Sequence, residues 1–147
     1  MSEGNFNLHD AFLSGLLQVS PSVRKYKRIT EIVEMQLQLV THCKGALRRF
    51  RVTELFSNEE IGYLEQVYNH LLQSSMRNLE DLATVITAGT LRMSDEERLQ
   101  LIDNIHEEMS EKLAFARYFN DDNAKVLLGR VRETKDVKVL EKLSIDR

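Results

Sequence analysis

The sequence predicts an all-α protein built as an antiparallel bundle of three long helices flanked by shorter N- and C-terminal helices. Apolar side chains recur three and four residues apart over three long stretches, which is the spacing of one helix face. Serine-based start signals precede these stretches, and the links between them are short enough to make neighbouring helices antiparallel. We therefore expect residues 1–147 to form a single helical domain.

Composition agrees with a folded globular domain and limits the functional classes. The chain is 42% apolar and 29% charged, as ordered domains are. Its net charge of −3 gives no general attraction to nucleic acid or to an anionic membrane. No stretch approaches eighteen apolar residues, so we predict no transmembrane helix. The polar start 1–5 lacks the basic and then apolar pattern of a signal peptide.

The first long helix is predicted over residues 20–50. Ser20 is a suitable N-cap, and Pro21 occupies the first helical position, where a missing N–H costs nothing. Cys43, the one cysteine, falls on the apolar stripe and is predicted to be a small buried residue. The stripe and its second row consist of Tyr26, Ile29, Val33, Leu37, Val40, Leu47 and Phe50, with Ile32, Leu39 and Ala46 beside them.

Two capping boxes mark the starts of the second and third helices. Ser57 precedes Glu60 by three residues, and Ser94 precedes Glu97 in the same way. The second helix is predicted to end at Ala88, with Gly89 as its C-cap. The bundle core is predicted to contain Val33, Leu37, Val40, Leu64, Leu71, Leu82, Ile102, Ile105 and Met109.

Shorter elements are predicted at both ends of the chain. Residues 6–18 show the pattern of a short amphipathic helix. The polar run Asn120–Asn123 is expected to stop the third helix and to cap a shorter helix over 124–133. A further break is expected at 135–136, and residues 137–143 allow one or two final helical turns.

No catalytic, cofactor or metal signature is found, so the chain is predicted not to be an enzyme. His106 begins a segment like that of zinc proteases, but Ser110 stands where the second histidine is needed. A calcium loop counted from Asp121 fails because Val126 replaces the required glycine. There is no Gly-rich phosphate loop and no Gly-x-Ser-x-Gly motif.

Four cations near the start of the first helix form the candidate docking site. Positive charge is unfavourable at a helix N-terminus, so this cluster needs either acids on a neighbouring helix or a function. It could pair internally, or it could dock an acidic partner or a phosphate backbone. Tyr26 is its one interleaved aromatic residue, which argues against nucleic acid. The candidate docking residues are Arg24, Lys25, Lys27 and Arg28.

Most of the chain, from about residue 5 to 132, resembles a family of conjugative transposons of gut anaerobes. Its members are labelled conjugal transfer protein TraI or TrbJ-like, and some are labelled TerB-like. Most of the shared features are helix caps and core positions. The segments that carry the resemblance are 21–26, 56–64, 85–89, 93–99 and 115–120.

This resemblance implies a non-enzymatic helical accessory of a type IV secretion or transfer apparatus, with protein partners and an extracytoplasmic location. Members usually begin with a secretion signal, which the start of this chain does not show. The TerB-like label implies the alternative of a stress-response or ion-binding module. The resemblance implies no catalytic residues. Nucleic-acid binding through the four cations is a third hypothesis.

Overall fold

The computed structural model describes residues 27–87 and 93–145, and this part of the chain consists of three helices. They are α1 (Lys27–Val52), α2 (Asn58–Thr87) and α3 (Asp95–Ile145). The described ranges contain no strand, so the all-α prediction is confirmed. The predicted helix over 6–18, the Ser20 cap with Pro21 and the helix end at 88–89 lie outside the described residues.

The three helices contact one another pairwise, and their polar contacts give their directions. Asn78 of α2 bonds Glu108 of α3, whereas the earlier Tyr68 bonds the later Asn120, so α2 and α3 run in opposite directions. From α1, Arg28 contacts Asp103 of α3. The later Gln38 contacts the later Arg117, so α1 and α3 run the same way.

On α1 and α2 the buried residues alternate steps of three and four. This spacing keeps one stripe of each helix turned toward its neighbours. Leu37 and Val40, which were predicted for the core, are only half-buried, because the buried stripe follows the row that begins at Ile32. Cys43 is buried, as predicted. The other predicted core residues are also buried: Val33, Leu64, Leu71, Leu82, Ile102, Ile105 and Met109.

A polar layer divides the core into two apolar clusters. One cluster lies toward the start of α1 around Ile32, and the other lies toward its end around Phe50. Between them Gln36, Ser75 and Asn78 are buried. The amide of Gln36 contacts a methionine sulfur 3.6 Å away, while its Oε1 has no hydrogen-bond partner in the described part of the chain.

The link between α1 and α2 confirms the first capping box. The backbone N–H of Glu60 donates to Ser57 Oγ at 3.1 Å, and the N–H of Ser57 donates to Glu60 Oε1 at 2.9 Å. The N–H of Glu97 donates to Ser94 Oγ at 3.1 Å, which makes Ser94 the cap of α3. Glu54, two residues beyond the end of α1, has a φ of 59°, a left-handed conformation that is uncommon for residues other than glycine.

The predicted breaks after residue 119 are wrong, because α3 continues without interruption to Ile145. Asn120 does not cap a helix; its side chain is buried, accepts a bond from the Tyr68 hydroxyl at 2.6 Å and donates to the His42 carbonyl at 3.2 Å. These contacts satisfy the polar side chain inside the helix, so it has no reason to end the helix.

The last part of α3 extends beyond the other two helices. Arg130 contacts the link between α1 and α2, whereas the residues from 132 onward whose side chains are described are all exposed. Val137, Leu140 and Leu143 are among these exposed side chains. None of the three helices is apolar over enough of its length to cross a membrane.

Candidate functional site

The predicted docking cluster lies partly within the described residues. Lys27 is exposed, as a docking residue must be. Arg28 is also exposed, but its guanidinium contacts α3, with Nε 3.3 Å from Asp103 Oδ1 and Nη1 3.4 Å from His106 Nδ1. Arg24 and Lys25 lie outside the described residues. At Arg28 the geometry is that of an internal pairing contact, and the docking role of the cluster stays a prediction.

A chain of contacts continues from Arg28 through His106 to Glu31. His106 Nε2 lies 2.6 Å from Glu31 Oε2, so the ring donates to this carboxylate through Nε2. With the proton on Nε2, the guanidinium of Arg28 can donate to the lone pair of Nδ1, which satisfies all three side chains. The contacts of Arg28 and Glu31 with His106 join the start of α1 to α3.

A groove follows the line where α2 meets α3. Three open depressions lie along it, from the start of α3 to the start of α2. The groove is therefore available to a partner along most of α2. Its principal lining residues are Asp81, Val85 and Leu101 at one end, His70, Glu111 and Phe115 in the middle, and Glu59, Tyr63 and Asn123 at the other end.

Aromatic side chains concentrate at the middle and end of this groove. Phe119 stacks against Phe115 with ring centroids 5.7 Å apart and also contacts Tyr63 at 6.2 Å and the buried Tyr68 at 5.7 Å. Tyr63 is 59% exposed, Phe115 46% and Tyr118 70%. Clustered exposed aromatic residues are typical of protein-binding surfaces, where they supply large rigid contact areas.

The groove is acidic. Asp81 and Glu111 line it, and no ion pair in the described ranges involves either residue. Glu108 accepts a bond from Asn78 Nδ2 at 2.7 Å, and Lys112 donates to the Oδ1 of the same amide. Lys112 is thus the one lysine or arginine that lines the three depressions, and it is held by a neutral partner.

At the far end of the groove Arg130 contacts the α1–α2 link. Nη1 of Arg130 donates to the Leu55 carbonyl at 2.8 Å, and its guanidinium lies 4.9 Å from the centroid of the Phe56 ring. It also forms two bonds to Glu60, and together with the Ser57 N–H these bonds lower the pKa of the Glu60 carboxyl to about 2. The link and α3 are therefore joined at the base of the projecting segment.

Two buried titratable groups stay neutral at physiological pH. Burial raises the pKa of the Cys43 thiol to about 11, and burial together with the nearby Cys43 raises the pKa of Tyr68. No group of three or more histidine, cysteine or acidic side chains in the described ranges could hold a metal ion. The ion-binding alternative stays a prediction.

Sequence reasoning missed the groove because it followed only the core stripe of each helix. Tyr63 and Phe115 belong to segments that carry the family resemblance, but they were not assigned to a surface. A usable signal exists: Leu101 and Phe115 stand fourteen residues apart on α3 and off its buried stripe, so they share a second face. An acid-rich face with aromatic residues is the pattern to look for.

Comparison with protein-family models, with curated proteins and with solved structures finds no match to this chain.

Proposed function

We propose that this protein is a non-enzymatic helical interaction module and that the α2–α3 groove is its binding surface. The observation that carries the proposal is the exposure of Tyr63 and Phe115, which line the groove, and of Tyr118, which follows Phe115 by three residues on α3. An apolar side chain contributes to stability when its surface is removed from water, and much of the surface of these three side chains is still exposed. A partner that covers them would gain that contribution.

We further propose that the three helices act as an antiparallel bundle that presents this surface on a rigid support. The apolar clusters on both sides of the polar layer hold α1 against the groove-forming helices. The contact between Arg130 and Glu60 fixes the end of the groove. Rigid elements keep the ordering cost of binding low, which favours recognition of a partner.

The biological setting that we propose follows from the family resemblance alone. It is an accessory role in a conjugative transfer apparatus, with protein partners, on the extracytoplasmic side. The proposal predicts that a photo-reactive amino acid at Tyr118 will cross-link to a protein of the apparatus in donor cells. The matched control is Val52, which is 75% exposed but lies at the end of α1.

Cross-linked apparatus proteins that depend on position 118 would support the proposal. The same products from positions 118 and 52, or none from either, would overturn it. A melting curve of each variant confirms that the chain is folded, and both positions are exposed enough for the replacement to be tolerated.

A further inference from the structure

Five of the exposed apolar residues of α3 lie on one face that runs beyond the groove, whereas Tyr118, Leu128 and Leu143 lie outside it. At 3.6 residues per turn, the positions of this face fall within about 40° of Phe115 around the helix axis. The face alternates acids with apolar side chains, and it is separate from the buried stripe that contains Met109 and Ala116. Its residues are Leu101, Asn104, Glu108, Glu111, Phe115, Phe119, Asp122 and Val126, followed by Glu133, Val137 and Leu140.

Helix α2 is acidic, as this face of α3 is, whereas α1 is basic. On α2 the one lysine or arginine, Arg77, stands against five acids, three of which, Glu59, Glu60 and Asp81, line the groove. The cations of α1 outnumber its acids, and Arg48 and Arg49 are exposed away from the groove. The molecule therefore has an acidic apolar side and a basic side, and a partner for the acidic side needs positive charge.

We propose that the α2–α3 groove binds a basic amphipathic helix of another protein. Leucine or phenylalanine side chains of that helix would pack on Phe115, Tyr63 and Leu101, and its lysine or arginine side chains would pair with Glu111 and Asp81. The inference rests on the proposed interaction function and adds the chemistry of the partner.

The dimensions of the groove favour a helix over an extended strand. Its two walls are helices, which have no free backbone edge to which a strand could add. From Leu101 to Val126 the face is about 38 Å long at 1.5 Å per residue, so a helix of about 25 residues would cover it. Such a helix presents apolar residues at steps of three and four, as the groove does.

The test measures the binding of a fluorescent synthetic peptide to the full chain by anisotropy. The peptide is a 24-residue basic amphipathic helix with a leucine and phenylalanine stripe and lysine and arginine elsewhere. One control peptide carries glutamate in place of every cation, and another has the same composition in scrambled order. We expect saturable binding of the first peptide alone, weakened at least tenfold between 50 and 300 mM salt.

Matched protein variants locate the site. Glu111→Lys should weaken binding about tenfold or more, whereas Glu34→Lys, which makes the same charge change on the exposed surface of α1, should change it less than twofold. Phe115→Ala should also weaken binding at least fivefold, while Val52→Ala should have no effect. All four positions are at least partly exposed, so a melting curve should show that each variant folds.

Equal losses for Glu111→Lys and Glu34→Lys, or equal binding of the scrambled peptide, would overturn the inference, because attraction would then be general. No binding of the basic peptide would also overturn it. A concentration-dependent mass in sedimentation that Phe115→Ala abolishes would show that a second copy occupies the groove, and this result would overturn it as well. Cross-links from Tyr118 without peptide binding would leave the interaction function standing and remove only the partner chemistry.

Discussion

Arg130 holds Glu60 through two parallel hydrogen bonds, Nη1 to Oε1 at 2.8 Å and Nη2 to Oε2 at 2.7 Å. Glu60 also accepts the bond from the N–H of Ser57 that completes the capping box of α2. One carboxylate thus caps the start of α2 and joins it to α3. Planar two-bond pairing of this kind is stronger and more directional than a single ion pair.

Stability should fall in acid because of Glu60. Its pKa is lowered from 4.5 to about 2 in the folded protein, so its contribution is present above about pH 4.5 and is lost as the pH falls toward 2. We expect Glu60→Gln to lower the melting temperature at pH 7 and to flatten its decline between pH 5 and pH 2. Glu59→Gln, at the neighbouring exposed position, is the control. Parallel pH profiles for wild type and Glu60→Gln would contradict the assignment.

The hydroxyl of Tyr68 should contribute to stability through Asn120. Tyr68→Phe leaves the ring in place and removes the donor, so the buried Asn120 Oδ1 loses its partner. The expected loss is about 1–3 kcal/mol of unfolding free energy in denaturant titrations. Tyr118→Phe, at an exposed tyrosine, should cost less than about 0.5 kcal/mol. Similar losses for the two variants would mean that the buried bond has no special weight.

Cys43 should be unreactive in the folded protein. It is buried, and a pKa of about 11 leaves about one thiol in a thousand ionised at pH 8, whereas an ordinary thiol is about one quarter ionised. We expect disulfide-exchange reagents to label Cys43 at the rate at which the chain opens, with labelling becoming fast above the urea midpoint. Rapid labelling without denaturant would show that the helices separate locally around this site.

Gln36, which belongs to the polar layer, should make the folded protein less stable than an apolar residue would. Its Oε1 is buried and has no hydrogen-bond partner among the described residues. Burying such a polar atom lowers the free energy of unfolding, and a leucine side chain would not carry this penalty. We expect Gln36→Leu to raise the unfolding free energy by about 1 kcal/mol and to join the two apolar clusters. Gln73→Leu, an exposed change on α2, serves as the control. A loss of stability at Gln36 would show that its amide contact is a net benefit.

Local sequence signals predicted the helix class and the starts of α2 and α3 because a capping box is a short-range feature. The hydroxyls of Ser57 and Ser94 accept bonds from N–H groups three residues ahead, as the spacing requires. The predicted core stripe of α1 lies one row away from the buried stripe in the structure, because both rows satisfy helical spacing. Tertiary contact with two neighbours decides between Leu37 and Leu39.

Long-range contacts account for what the sequence did not predict. The polar side chain of Asn120 is a good helix cap by type, and only the distant Tyr68 and the His42 carbonyl explain why it lies inside a helix. The groove was missed for a similar reason. Tyr63 of α2 contacts Phe119, and so joins the aromatic group that contains Phe115, only when α2 and α3 pack antiparallel; spacing within each helix does not reveal this.

For the proposed role in conjugative transfer, the most direct test of the interaction function is the frequency of transfer from donor cells that carry Phe115→Ala or Glu111→Lys in place of the wild-type protein. Equal protein levels and unchanged melting temperatures are checked first. We predict that both groove variants will lower the frequency at least tenfold, while Glu34→Lys and Val52→Ala on α1 will not. Wild-type transfer by well-folded groove variants would contradict the account.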